Sequence, residues 1–233
     1  MKFIVEDSNK IDLHIHTKYS DGYDNPMEIL NSAIRLGLDR IAFTDHNCDD
    51  AQRYPGLKEL AKSCGVKIIP GCELSVKHNG KRLHLLAYNY NYIFSLFIIP
   101  RIQKNRNEKN KVLTLKKACK LIHAFGGKAI IAHPFKYRYD GKKLIEELLE
   151  EDCLDGIECI HSYHTQEEID YLLDVCDKND LYVSAGSDFH YSGREIRKTG
   201  VQGNIGELPG SKSTIEEQLT RAKQKYKTIT NKR

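Results

Sequence analysis

The chain predicts an α/β fold in a single domain, and three observations carry that reading. Short apolar, β-branched runs alternate with longer amphipathic ones about seven times, with no break in composition. The amphipathic runs carry helix start and stop signals. Histidine, aspartate and glutamate gather at or near the C-terminal ends of the apolar runs. At 233 residues, 40% hydrophobic and 29% charged, the chain is long and apolar enough for a substantial core. Barrel and open sheet both fit the alternation, so periodicity leaves that choice open.

The elements follow in order. Strands are expected at 11–15, 40–43, 67–69 running on to 74, 83–87, 129–132, 156–160 and 181–184. A helix over 26–36 opens at Pro26 and stops before Gly37, the arrangement a Pro-first, Gly-last helix requires. Further helices are expected at 52–64, 112–125, 142–151 and 166–177, the last behind Thr165 as N-cap. Residues 89–110 are irregular, although Tyr88, Tyr90 and Tyr92 alternate as on a half-exposed strand. The sheet and its helices should occupy about residues 10–200 of the domain 1–233, followed by a basic, partly helical tail at about 211–233 with a frayed end.

Composition excludes several classes. Seven cysteines, an odd number without a C-x-x-C pair, suggest neither a disulfide framework nor a thiolate zinc knuckle. The first residues are charged too early for a secretory signal, and the apolar stretch 93–99 is far shorter than the roughly 20 residues of a membrane span. A cytoplasmic protein without membrane attachment is expected. The net charge of +4 is uneven: residues 100–120 hold eight Lys/Arg against one Glu, and 211–233 hold seven against two. The body between is acidic. An anionic polymer, if bound, would lie along those basic segments.

The metal-capable residues are placed as follows. His14 and His16 close the first strand and Asp21 follows in the next loop. Asp45 and His46 follow the second strand, Glu73 ends the third, His84 lies in the fourth and His133 follows the fifth. His161 and His164 follow the sixth, and Asp188 and His190 the seventh. Only His78 and His123 read as surface histidines on helices. The C-terminal strand ends are where α/β barrels build active sites. Period-two spacing in His14-Ile15-His16 aims both rings at one ion. Imidazole with carboxylate suits zinc, manganese or iron, and a carboxylate such as Glu73 or Asp188 can bridge ions about 3.5–4 Å apart. Such clusters serve displacement at phosphorus with water as the nucleophile. Asp12 is expected to orient a ligand from behind, and Cys72 to pack in the core.

Asp12-Leu13-His14-Ile15-His16-Thr17, Ser20-Asp21-Gly22, Phe43-Thr44-Asp45-His46, Gly71-Cys72-Glu73, His84-Leu85-Leu86, Ala132-His133-Pro134 and Gly186-Ser187-Asp188-Phe189-His190 occur in that order. Together they resemble the PHP family, the polymerase-and-histidinol-phosphatase metallophosphoesterases. The resemblance implies a distorted seven-stranded β/α barrel of the TIM-like PHP type with two or three divalent ions, manganese, iron or zinc. One ion would be held by His14, His16, Glu73 and Asp188, a second by Glu73, His84 and His133, a third by Asp21, His46 and His190.

The chain is most similar to the branch acting on nucleoside 3′,5′-bisphosphates or trimming RNA from its 5′ end. That branch carries a long helical insertion between the fourth and fifth strands, whereas only about 40 residues separate His84 from Ala129 here. It also follows His-Pro with Gly-Arg, where this chain has Phe135-Lys136. The expected activity is hydrolysis of a phosphomonoester by metal-activated water, with Asp188 as a catalytic metal ligand and His190 or His164 protonating the leaving oxygen. Lys136, Arg138, Arg194 and His164 are candidate phosphate contacts; Phe135 and Tyr137 would stack on a base or simply pack. The substrate would be a nucleotide or short oligonucleotide. Histidinol phosphate or another small phosphomonoester is the alternative. A catalytically silent metal-binding interaction module is the alternative of another class.

Overall fold

The computed structural model describes residues 1–105, 112–191, 205–206 and 213–230. Its strands are β1 (Lys2–Phe3), β2 (Ile11–Ile15), β3 (Arg40–Phe43), β4 (Lys67–Ile68), β5 (Gly71–His78), β6 (Lys81–Tyr88), β7 (Leu113–Thr114), β8 (Lys128–Ile131), β9 (Gly156–His161) and β10 (Tyr182–Gly186). The helices are α1 (Pro26–Arg35), α2 (Leu57–Ser63), α3 (Ile99–Asn105), α4 (Leu115–Ala124), α5 (Gly141–Leu149), α6 (Gln166–Lys178) and α7 (Ile215–Thr230). A seven-stranded sheet runs β1-β10-β9-β8-β6-β5-β7, and a three-stranded sheet runs β2-β3-β4.

The α/β class is as expected, but the strands do not form one all-parallel ring. Among the described residues the two sheets meet at single bridges, Ile15 with Phe189 and His46 with Glu73. β6 runs antiparallel to both β5 and β8. The reason lies in the Asn79-Gly80 turn between β5 and β6. Both residues have positive φ, 45° and 75°, as a two-residue type I′ hairpin requires. The run expected at 67–74 is divided between β4 and β5 around Pro70, so its first part pairs with β3 and its second with β6.

Local chemistry sets the helices. Asn25 caps α1 by accepting from the Met27 and Glu28 amides, and Glu28 returns the bond to Asn25 in a capping box. Thr165 and Glu168 do the same for α6. The helix expected at 52–64 shortens to a 3-10 turn at Asp50–Arg53 and then α2, because Pro55 interrupts it. Residues 89–105 pack beside Phe125 through the Asn91 amide and the Phe94 ring: Tyr88 and Tyr90 are buried, Tyr92 is exposed, and a π-helical turn over Phe94–Ile98 leads into α3. The half-exposed tyrosine strand is therefore not present. His78 ends β5 and is buried, contrary to its expected helix-surface position.

Two apolar clusters result. The larger joins β5, β6, β8, β9 and β10 to α4, α5 and α6; the smaller packs α1 and α2 on the outer face of β2 and β3 through Ile29, Leu30, Ile41, Phe43 and Leu57. The tail is more than a fringe, since α7 buries Ile215, Leu219, Ala222 and Tyr226 against the larger cluster. Lys223 donates to the carbonyls of Glu6 and Ser8, both at 3.0 Å, and the Asn9 amide donates to Thr220 Oγ1 at 3.0 Å. β1 in turn pairs with β10.

Candidate metal centre

β2 is buried along its whole length, with Leu13 and Ile15 in the two apolar clusters and His14 and His16 facing the centre. Gly186 of β10 makes room for His14: a Cβ there would lie 2.2 Å from the His14 Cβ. Asp45, after β3, accepts from Thr17 N at 2.8 Å, Thr17 Oγ1 at 2.8 Å and Ser20 Oγ at 2.6 Å. It thereby fixes the loop that carries Asp21. Asp12 accepts from Ser187 N at 3.0 Å and Ser187 Oγ at 2.6 Å, which sets the turn before Asp188. His133 and Asp188 have φ of 29° and 57°. Left-handed backbone at a non-glycine residue is costly and is held here by its surroundings.

The nine expected ligands converge. His14 Nε2 and His16 Nε2 lie 3.1 Å apart, at 3.4 and 3.2 Å from Asp188 Oδ1. Glu73 sits between the groups: Oε1 is 3.4 Å from His14 Nε2, 3.0 Å from His84 Nδ1 and 3.1 Å from His133 Nε2. Its Oε2 is 3.3 Å from His16 Nε2 and 2.9 Å from His46 Nδ1. Asp21 meets His190 Nε2 at 3.3 Å and His46 Nε2 at 3.5 Å. His14, His16, Glu73, His133 and Asp188 are buried, whereas His46, His84 and His190 are part-exposed and Asp21 is exposed by half.

Charge and hydrogen bonding test whether this set suits metal. Burial works against the ionised Glu73, yet His84, His46 and His14 hold it well below the carboxylate range. Burial likewise opposes Asp188, and His14, His16, His161 and Lys136 prevail. Desolvation disfavours the His14 cation, but Glu158, Glu73 and Asp188 hold its pKa well above the imidazole value. His46 is raised to about 10 because Glu73 and Asp21 outweigh burial, while burial drives His133 down to about 3. These buried carboxylates demand positive charge. His46 Nδ1 and His84 Nδ1 are buried without a hydrogen bond, although a Glu73 oxygen is close. Ring nitrogens and carboxylates gather in four overlapping groups, His16-Asp21-His46-His190, His14-His16-Glu73, His46-Glu73-His84 and His14-Glu158-His161. Such donor sets fit divalent transition ions.

The phosphate candidates separate. Lys136 reaches Asp188 at the edge of the cluster, its ammonium 5.3 Å from the Tyr163 ring centroid. Arg138 is exposed on the turn after the 3-10 segment Pro134–Lys136, and Arg194 lies outside the described residues. His164 is buried behind His161; its Nδ1 donates to the Cys159 carbonyl at 2.9 Å and burial lowers its pKa to about 3. Phe135 packs against His164 and Tyr171, and the Tyr137 hydroxyl accepts from His84 N at 2.7 Å. Both aromatics therefore pack. Cys72 is buried with its Sγ toward the Asp45 carbonyl.

Two site residues had no assigned role in the sequence reading. Glu158 accepts from His14 Nδ1 and from the His133 amide, both at 2.9 Å, so one carboxylate orients a ligand from β2 of the smaller sheet and one that follows β8 of the larger. His161, at the end of β9, lies against His14 and His133. A lone glutamate inside the apolar run Gly156–Ile160 was the available signal for the first.

The chain is 24% identical to a 5′-3′ exoribonuclease of Haemophilus influenzae over 251 positions, covering 79% of this chain and 91% of the relative. It is 25% identical to a 3′,5′-nucleoside bisphosphate phosphatase of Chromobacterium violaceum over 267 positions, covering 82% and 90%. Both alignments are longer than the share of this chain they cover, so the relatives carry inserted segments there. In fold the chain resembles an amidohydrolase from Chromobacterium violaceum with bound sulfate, at TM-score 0.69 and 20% identity, covering 83% and 92%. A protein assigned as a metal-dependent phosphoesterase from Bifidobacterium adolescentis gives 0.62 at 18% identity, covering 91% and 94%. The PHP domain model matches residues 12–189, and the chain belongs to the PHP domain family.

Proposed function

We propose that this chain hydrolyses a phosphomonoester with two or three divalent transition ions, manganese, iron or zinc. The observation that carries the reading is Glu73, a buried carboxylate whose two oxygens face His14, His84 and His133 on one side and His16 and His46 on the other. His14, His16, Glu73 and Asp188 would hold one ion; Glu73, His84 and His133 a second; and Asp21, His46 and His190 a third. Bound ions supply Lewis acidity and a nucleophile at neutral pH.

The chain's own groups do the rest. Lys136 stands beside Asp188 to meet a phosphoryl oxygen, and Arg138, exposed on the following turn, is a further candidate contact. Of the two candidate proton donors, His164 donates from Nδ1 to the Cys159 carbonyl at 2.9 Å and His190 donates from Nδ1 to the Asp188 carbonyl at 2.7 Å. His190 is the part-exposed one and can serve the leaving oxygen only when its Nε2 does not hold the third ion.

The relatives named above support a nucleotide or a short oligonucleotide as substrate. A second reading, histidinol phosphate or another small phosphomonoester, is favoured by the missing inserted segment, which leaves less protein to grip a polymer. A panel of nucleoside 3′,5′-bisphosphate, short 5′-phosphorylated RNA and histidinol phosphate separates the two, with metal content read by elemental analysis. Protein that stays metal-free through a native purification, and inert with manganese added, sinks the proposal.

A further inference from the structure

We infer that His161 is a phosphate-binding residue, its Nε2–H and the Lys136 ammonium forming a two-point clamp on a phosphoryl oxyanion. The argument begins with the tautomer. The Tyr163 backbone N–H donates to His161 Nδ1 at 3.1 Å. A ring nitrogen that accepts carries no proton, so the imidazole keeps its hydrogen on Nε2. That nitrogen is buried, in a fully buried side chain, and has no hydrogen-bond partner. The closest carboxylate oxygen, Asp188 Oδ2, is 3.6 Å away and already takes Lys136 Nζ. A buried donor without an acceptor is costly and calls for a ligand.

The same geometry separates His161 from the metal ligands. A ligating imidazole donates from the nitrogen that does not coordinate, as His14 Nδ1 does to Glu158. In His161 that outer nitrogen accepts instead, so Nε2 is a donor and not a lone pair. Tyr163 supports both halves of the clamp: its ring stacks on His161 at 5.8 Å and 15°, and Lys136 Nζ lies 5.3 Å from its centroid. One charged and one uncharged donor, side by side at the edge of the cation cluster, suit a tetrahedral oxyanion that only accepts: inorganic phosphate or the terminal group of a phosphomonoester. Lysine has three hydrogens, so Lys136 can keep Asp188 and still meet the ligand.

The inference rests on the phosphoesterase reading, and the test separates the two. Inorganic phosphate is titrated into the metal-loaded full chain by calorimetry, with metal content and thermal melting measured in parallel. His161→Phe is expected to keep its metal and weaken phosphate binding about tenfold to a hundredfold, the worth of a hydrogen bond to a charged group. His161→Gln, which retains an N–H donor, should fall between that variant and wild type. In zinc-loaded wild-type protein, nitrogen NMR should show the His161 proton on Nε2 and a shift of that signal on adding phosphate; this arm needs no variant to fold. Loss of a metal equivalent in His161→Phe, unchanged phosphate affinity in that folded variant, or a proton found on Nδ1 overturns the inference. Phosphate binding that depends on His161 in a protein that cleaves no phosphoester would overturn the phosphoesterase reading and leave the clamp standing.

Discussion

β8 and β9 can be compared at their two ends. Where they start, Asp155 accepts from Ala129 N at 2.8 Å, Lys128 Nζ at 2.9 Å and His123 Nε2 at 2.6 Å, and its own backbone bonds Ala129 and Tyr182. Every strong group there has a partner. Where the strands end, His133 Nδ1 and His161 Nε2 are buried without one, and the adjacent Glu158, inside β9, and Asp188, after β10, are crowded by imidazoles. Charge at the starts is spent on joining elements. Charge at the ends is held ready for something that is not protein.

Four changes sharpen or break that contrast. The largest effect is expected at the ends: replacing His14 and His16 together with Ala should remove metal by elemental analysis and reduce phosphomonoester turnover to background, with the far-ultraviolet circular dichroism unchanged. Stripping metal from wild type with a chelator should cost stability as well as activity. At a free metal concentration about 100 times Kd the bound form gains about 2.7 kcal/mol, read as a lower melting temperature that added zinc or manganese restores. Glu158→Gln should weaken metal about tenfold to a hundredfold, measured by chelator competition, because the amide cannot accept from both His14 Nδ1 and the His133 amide.

The smallest effect belongs to the starts. Asp155→Ala should cost about 1–2 kcal/mol in denaturant unfolding, a value discounted because the side chains of its partners Lys128 and His123 are exposed, and leave kcat unchanged. Burial opposes the ionised Asp155, but the Ala129 amide, Lys128 and His123 lower its pKa on balance. A lowered carboxyl pKa stabilises above the unfolded value of about 4 and ceases to do so as pH falls through the folded one. Wild type and variant should therefore converge in acid. A variant that lost turnover at neutral pH would mean the two ends are coupled.

The sequence made the strand-end residues legible because each was a polar interruption at the close of an apolar run. His14, His46, His133 and Asp188 could be marked that way without knowing how the strands paired. Glu158 could not, because it lies inside β9 and its task depends on which strand is adjacent. Likewise the tautomer of His161 is set by the Tyr163 amide, a contact that no residue pattern announces. The antiparallel β5–β6 hairpin did carry a signal, Asn79-Gly80, but the alternation of strands and helices elsewhere favoured a parallel reading. Residues 89–105 have no regular period, and their π-helical turn has no pattern to detect.

The docking of α7 and the pairing of β1 with β10 bear on how the molecule is made. At a synthesis rate of about 5–20 residues per second, His14 and His16 are made roughly ten seconds or more before β10, Asp188 and His190. Until then β1 lacks its partner strand, and the carbonyls of Glu6 and Ser8 lack Lys223. His14 and His16 meet Asp188 and His190 only when β2 lies against the segment that follows β10, where Ile15 bridges Phe189. A polypeptide interrupted before β10 would carry His14 and His16 without Asp188 and His190, two of the proposed metal ligands.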